Sequence, residues 1–357
     1  MYVLVSKLNK RVAINPSFKW LEDELIPTWA SLATSAESGM ATVTANAGEH
    51  LYFVPGDLLK FARTGEIMRV NAVATAPDVI NVTRNFASDS VGAPSADLCA
   101  GDYFFKIGTA FMEGSAYSDL YTKSTVTSEK TNYAQIFRKS VEITRTLANT
   151  ELYGGADRPY QRKKKGIELM KEMERSFYFG IPYEYTATTN YTRATGGIDY
   201  FISTNATDAG GTLTESEFEG FLRTVFRYGS NSRYLFAAPM ILSVISLWAQ
   251  GKLQMFPKDK TYGIAITQYL SPHGTVNLVK DIVLEYRDIS YSSYYGGYAF
   301  AMELEDVIYR YLQNRDVQME TDIQHPGDDY VKDQYICEVG CEFHSEKKHG
   351  LLYGVTG

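Results

Sequence analysis

Apolar residues recur at two different spacings along the chain, and the change from one to the other marks its organisation. Residues 1–40 mix polar and apolar positions around Asn15, Pro16, Phe18, Trp20 and Leu21 without a sustained period, which predicts an extended arm and one strand. From Thr42 to about Gly101, short apolar runs are broken by turn residues. Leu51–Val54 meets Pro55-Gly56-Asp57, Leu58–Phe61 meets Thr64-Gly65-Glu66, Ile67–Val73 meets Ala76-Pro77-Asp78, and Val79–Arg84 follows. This spacing predicts a small all-β module that buries little alone and is expected as an insertion leaning on a larger body.

The helical period enters next. Asp157 is a candidate cap, Pro159 falls where its missing N–H is harmless, and the segment runs to Phe179 before Gly180 and Pro182 stop it. Gly166, Met170, Met173 and Phe177 share one face, with Gly166 expected to admit another backbone. At a rise of 1.5 Å per residue the helix is roughly 30 Å long. Thr214 with Glu217 forms a capping box ahead of Phe218, Phe221, Leu222 and Val225, predicting a second helix. A buried strand over Arg233–Ala237 leads to a third helix from Pro239 to Gly251, and strands return at 275–279 and 282–286. Residues 330–343 alternate for an unusual length. Tyr335, Cys337, Val339, Cys341 and Phe343 fall on one face, and Glu338, Glu342 and His344 on the other. No repeat of 20–50 residues and no low-complexity tract interrupts this order.

Composition narrows the function classes. With 357 residues, 45% hydrophobic and 22% charged, the chain has the make-up of an ordered protein of two or three domains. Its formal charge of −7 excludes a general attraction to nucleic acid or anionic membrane, so any DNA contact must be local. The 27 tyrosines suit surfaces that become buried between subunits. The uncharged stretch 234–251 contains Pro239, Ser243, Ser246 and Gln250 and is read as soluble, with no membrane partner. The N-terminus lacks a secretory pattern, and the three cysteines fit a reducing compartment.

Catalytic signals are sparse: no phosphate-binding glycine loop, zinc helix, nucleophile elbow or CxxC occurs. Cys337, Cys341, His344 and His349 hold the right donors for zinc, but the alternating strand separates His344 from both cysteines, so no metal is expected. His50, His273, His325, His344 and His349 each lie near a predicted turn or strand end and read as solvated loop histidines, leaving no catalytic residue to name. Adjacent acids in Glu22-Asp23-Glu24 and Asp328-Asp329 point to opposite faces, and the default is solvation or ion pairs with a neighbouring subunit. The one dense basic patch is Arg158, Arg162, Lys163, Lys164 and Lys165. Two readings stay open for it: contact with phosphate or another subunit's acids, and an ordinary solvated face. Tyr291, Tyr294 and Tyr295, before Gly296-Gly297, read as a subunit contact in preference to a sugar-stacking surface, since no acid pair accompanies them.

The order of elements, and four strings within them, carry a resemblance. The strings are Asn15-Pro16-Ser17-Phe18-Lys19-Trp20-Leu21-Glu22-Asp23-Glu24, Asn132-Tyr133-Ala134-Gln135-Ile136-Phe137-Arg138, Thr195-Gly196-Gly197-Ile198-Asp199-Tyr200-Phe201-Ile202 and Gln324-His325-Pro326-Gly327-Asp328-Asp329. The chain resembles the major capsid proteins of tailed bacteriophages with the Hong Kong 97-type fold, and among them the major head proteins of short-tailed phages.

That resemblance implies an α+β fold with an N-terminal arm (1–19) and an extended loop (20–125) carrying a β insertion at about 41–101. A peripheral domain (126–189) would hold the spine helix at about 158–180. An axial domain (190–290) and a return through 291–357, with a long strand at 330–344, would complete it. The legs of the extended loop would be the strand through Trp20 and a return strand near 104–111, with Trp20, Glu22 and Asp23 as subunit-contact residues. The start of the chain is shorter than is usual in the family. The implied role is a structural, cofactor-free subunit that assembles in the host cytoplasm into the virion head. It would form pentamers and hexamers around packaged double-stranded DNA, with portal, scaffolding and decoration proteins as further partners. An encapsulin-like compartment shell and a β-rich hydrolase are the alternatives.

Overall fold

The alternating run near the C-terminus forms a single strand, Tyr330–Phe343, and the larger part of the molecule is built around it. In this computed structural model, residues 3–74, 78–86, 97–115, 123–150, 157–186, 190–252, 268–286 and 295–356 are described. The chain divides into two units, residues 1–22 with 129–357, and residues 23–128.

In the larger unit the long strand pairs antiparallel with Gln135–Thr144 along one edge, from Gln135 opposite Val339 to Thr144 opposite Tyr330. On its other edge it takes Val307–Leu312 and the short Gln318–Glu320. Asn9–Ala13 then adds in parallel to Val307–Leu312. The N-terminal stretch is therefore more than an arm with one strand. It holds a helical turn, Leu4–Lys7, this edge strand, and Ser17–Glu22, which pairs with Ser128–Tyr133.

The helix Asp157–Phe179 lies on one face of this sheet. Its sequence has a single β-branched residue, Ile167, and keeps Pro159 in the first turn, so propensity and pattern agree. Leu169, Met173, Phe177 and Tyr178 pack into one core with Phe137, Tyr309, Cys337, Val339 and Cys341. Each such side chain contributes roughly 2 kcal/mol through removal from water. Asp157 is the first helical residue and accepts a hydrogen bond from Gln161, so it is not the cap. Gly166 faces the Tyr335 ring instead of another backbone. The close backbone approach comes at the helix end, where Gly180 and Gly197 cross. A Cβ on Gly197 would lie 2.6 Å from the Gly180 nitrogen, and one on Gly180 would lie 2.3 Å from the Thr195 carbonyl oxygen.

A second sheet in this unit runs in the order Ala206–Gly211, Gly350–Val355, Ala299–Met302, Ser232–Ala237, Gly274–Lys280, Gln268–Ser271. The helices Glu215–Val225 and Pro239–Lys252 pack on it through Phe218, Phe221, Leu222, Val225, Ile241 and Ile245. Thr214 caps the first through the capping box expected from its sequence. Residues 282–286, expected as a strand, split into the 3-10 turn Ile282–Leu284 and a two-residue strand.

The unit 23–128 is an antiparallel sheet in the order Trp29–Ser31, Tyr103–Thr109, Asp57–Phe61, Ile67–Val73, Val79–Thr83, Thr42–Thr44. Leu59, Phe61, Met68, Val70, Ile80, Val82 and Phe104 form its own core. The return strand expected near 104–111 belongs to this sheet, so it does not pair with the strand through Trp20. Leu51–Val54, read as a strand, is not one: its first two residues end the 3-10 turn Glu49–Tyr52.

Candidate functional site

The basic patch at the start of the long helix is largely closed within the chain. Arg158 donates from Nε to Asp333 Oδ2 at 2.8 Å and from Nη2 to Asp333 Oδ1 at 2.6 Å, and reaches Asp322 at 2.7 Å. Arg162 adds a third bond to Asp333 at 2.8 Å. Asp333 is 2% exposed, and these guanidiniums hold its carboxyl below the usual carboxylate range. The clamp ties the helix to the long strand. Lys165 pairs with Glu168 at 2.7 Å, which leaves Lys163 and Lys164 as the exposed cations of the group.

The subunit-contact candidates near the N-terminus are placed differently. Trp20 is 6% exposed and packs against Phe201, with ring centroids 5.6 Å apart, and against His344 at 5.7 Å. Its indole N–H donates to Glu22 Oε1 at 3.0 Å, and the Ser345 amide donates to the same oxygen at 2.8 Å. Both side chains are thus engaged inside their own unit. Asp23 is exposed and accepts from Thr125 Oγ1 at 2.7 Å. Tyr291 and Tyr294 lie outside the described residues; for Tyr295 the backbone alone is placed, in a two-residue strand opposite Tyr286.

Three of the four strings that carry the resemblance meet at one buried point. Asn132 donates through Nδ2 to the carbonyls of Gly196 at 3.0 Å and Cys341 at 2.6 Å, and its Oδ1 accepts from the amides of Gly196 at 2.6 Å and Tyr133 at 2.8 Å. Gln135 accepts from the Thr195 amide, and the Ala134 amide donates to the Pro16 carbonyl. Side-chain amides supply both donor and acceptor, and both polar side-chain atoms of Asn132 are used.

A second buried polar cluster anchors the chain start. Glu174, fully buried on the long helix, accepts from the amides of Val3 at 2.6 Å and Leu4. Burial and the neighbouring Asp281 carboxyl push its pKa up, and burial likewise raises that of Asp281, which accepts from Tyr178 Oη at 2.9 Å.

The histidines correct the sequence reading in part. His349 is fully buried, not solvated. Its Nε2–H donates to the His344 carbonyl at 3.0 Å, its Nδ1 accepts from the Glu303 amide at 3.3 Å, and burial lowers its pKa to about 3. His50 is buried 2.7 Å from Asp78. Cys337 sits 3.6 Å from the Met173 sulfur, and burial pushes both its thiol and that of Cys341 up to about 12. The polar face of the long strand is covered. Glu338 and Glu342 are buried against Arg315 and Arg310, and His344 bonds to Glu342 at 2.6 Å.

Exposed apolar surface lies where the sequence reading did not look. In the unit 23–128, Trp29, Tyr103, Phe105 and Ile107 project from adjacent strands, with Trp29 opposite Phe105. In the larger unit the hairpin Tyr183–Thr186 with Tyr191–Ala194 exposes Tyr183, Tyr185 and Tyr191. The available signal was period two, as in Tyr103-Phe104-Phe105-Lys106-Ile107 and Tyr183-Glu184-Tyr185. Clusters of this kind are suited to burial against another protein surface. Among the described residues, no helix is long and apolar enough to cross a membrane.

Comparison with known proteins gives a family match spanning the chain. The sequence model of a family described as SU10 major capsid protein matches residues 2–356. No curated protein matches. Among solved structures, the chain is similar to one from Mycobacterium phage Bobi, at 9% identity over 99% of this chain and 90% of that one, with a TM-score of 0.47. It is similar to one from Gordonia phage Cozz at 12% identity over 70% and 79%, with a TM-score of 0.46. It is also similar to the holo-SrpI encapsulin complex from Synechococcus elongatus PCC 7942, at 9% identity over 64% and 76%, with a TM-score of 0.42.

Proposed function

The chain belongs to the SU10 major capsid protein family, and on that premise we propose that copies of it close as pentamers and hexamers into the icosahedral or elongated head of a tailed phage, around double-stranded DNA. The match over residues 2–356 carries this reading, because it spans both units instead of one shared module. The exposed aromatic surfaces support it, since they give each unit apolar area to bury against further copies. The net charge of −7 supports a container that does not bind its DNA tightly.

In this reading the role is structural, not enzymatic. The clamp on Asp333 and the bonds of Asn132 are occupied in holding elements together. The compact unit 23–128 supports assigning the extended loop and its insertion to residues 20–125. The helix Asp157–Phe179 would be the spine of a peripheral domain at 126–189, residues 190–290 the axial domain, and 291–357 the return, with residues 1–19 as the arm. Assembly would take place in the host cytoplasm, with portal, scaffolding and decoration proteins joining it. Electron microscopy of the chain expressed alone and concentrated tests the core of this. Closed shells or capsomer rings of uniform size are expected, and a chain that stays monomeric across salt, pH and crowding conditions would overturn it.

A further inference from the structure

Arg223, in the last turn of the helix Glu215–Val225, and Arg227, one turn further on, stand with Thr224, Phe226 and His273 around a concavity of about 520 Å³. Most described arginines meet a carboxylate, as Arg84 meets Glu66 and Arg310 meets Glu342. These two are exposed and meet none among the described residues. The acid one turn before Arg223 is not available to them. Glu219 accepts from Tyr269 Oη at 2.6 Å through one oxygen and from Ser271 Oγ at 2.7 Å through the other.

The aromatic side of the concavity is held in place. The guanidinium of buried Arg233 lies 5.5 Å from the Phe226 ring centroid. The backbone at Gly274 passes so near that a Cβ there would fall 2.5 Å from the ring. Two planar donor forks beside a fixed ring, with no acid in the lining, suit a planar oxyanion gripped by paired N–H bonds.

We propose that this cleft receives an Asp or Glu carboxylate from a second copy of the chain, and that Arg223 and Arg227 clasp it as part of the contact between subunits. The proposal rests on the self-assembly reading. A carboxylate is favoured over DNA phosphate on two grounds. The chain carries seven more acidic than basic side chains, 42 Asp and Glu against 35 Lys and Arg, so each copy presents acids in excess. Phosphate backbone binding, in turn, grows from runs of cations, and a pair in an acidic protein provides little.

The test compares particles from the wild type with those from Arg223→Glu/Arg227→Glu, Arg223→Gln/Arg227→Gln and Arg223→Lys/Arg227→Lys, under a sodium chloride series. Calorimetry on the unassembled chains reports folding. The expected result is unchanged thermal midpoints, at least a tenfold lower particle yield for the Glu pair, dissociation at lower salt for the Gln pair, and an intermediate shift for the Lys pair. Particles indifferent to all three changes would overturn the cleft's role while leaving self-assembly standing. Normal particles that retain less DNA would overturn it in favour of phosphate. A wild type that forms no particle would overturn the self-assembly reading, and this contact with it.

Discussion

Asn132 is a buried side chain that ties two segments of the larger unit together. Its side chain bonds the loop after the hairpin strand Tyr191–Ala194, at Gly196, to the long strand, at Cys341. Asn132→Asp would set a carboxylate oxygen against two carbonyl oxygens, and Asn132→Ala would take a partner from four backbone groups, three of these bonds buried. Each is expected to lower stability by about 3 kcal/mol or more, read as a shift in the urea midpoint of the unassembled chain, with Asp the more damaging. His349 makes a pH prediction of definite sign. Its folded pKa of about 3 lies below the ordinary 6.5, so between those values the unfolded chain binds the extra proton. Its contribution is complete well above pH 6.5 and is lost as pH falls towards 3, the loss reaching about 2 kcal/mol by pH 5. His349→Gln should flatten the stability profile of unassembled chain between pH 7 and 5, and a profile as steep as that of the wild type would remove His349 as its source. The sequence showed a histidine near a glycine and a strand end; that it is buried follows from the Phe343 ring, whose centroid lies 4.3 Å away, a contact set by tertiary packing.

At the scale of elements, the clamp at Asp333 decides how the long helix sits on the long strand. Arg158 and Arg162 are partly exposed, so the pair is weaker than a fully buried one, but its carboxylate is not. Asp333→Asn is expected to cost about 2–3 kcal/mol, because two guanidiniums then face each other without a charge between them. In the wild type this contribution is present above the ordinary carboxylate pKa and declines as pH falls below it, a dependence the variant should lack. Acid titrations of both chains, followed by tryptophan fluorescence, check this; parallel curves would count against the clamp. The helix itself was legible, since its apolar period and its Gly180 stop are local signals. The long strand was legible as a strand, but alternation says only that Glu338 and Glu342 share a face, not that Arg315 and Arg310 cover it. The edge strand Asn9–Ala13 was not legible at all. It buries one side chain of five, so its place in the sheet rests on backbone pairing that leaves no side-chain pattern.

At the scale of the whole molecule, the question is whether the unit 23–128 is an appendage or a domain. Its strands alternate between a buried and an open face, and the buried face closes on itself: Leu59, Phe61, Met68, Val70, Ile80, Val82 and Phe104 meet one another within the unit. Its buried charges are also matched internally. Glu66, buried with Arg84, accepts from both Nε and Nη2 at 2.8 Å, and Asp57 lies 2.7 Å from Lys106. The sequence reading gave the module about 41–101, which omits Trp29–Ser31 and Tyr103–Thr109. Without these two strands one side of Asp57–Phe61 would be an unpaired edge and Phe104 would be missing from the core. With them the unit reaches the size at which a single core sustains a fold. A fragment of residues 23–128 is therefore expected to fold alone, with dispersed amide resonances and one cooperative thermal transition, whereas a fragment of 41–101 should not. Glu66→Ala in the longer fragment would take away the carboxylate that the buried Arg84 guanidinium meets through two nitrogens, and is expected to remove about 3–5 kcal/mol, enough to leave it largely unfolded. If 23–128 alone were disordered, the core would need support from outside the unit, and its open face of Trp29, Tyr103, Phe105 and Ile107 would be the first place to look for that support.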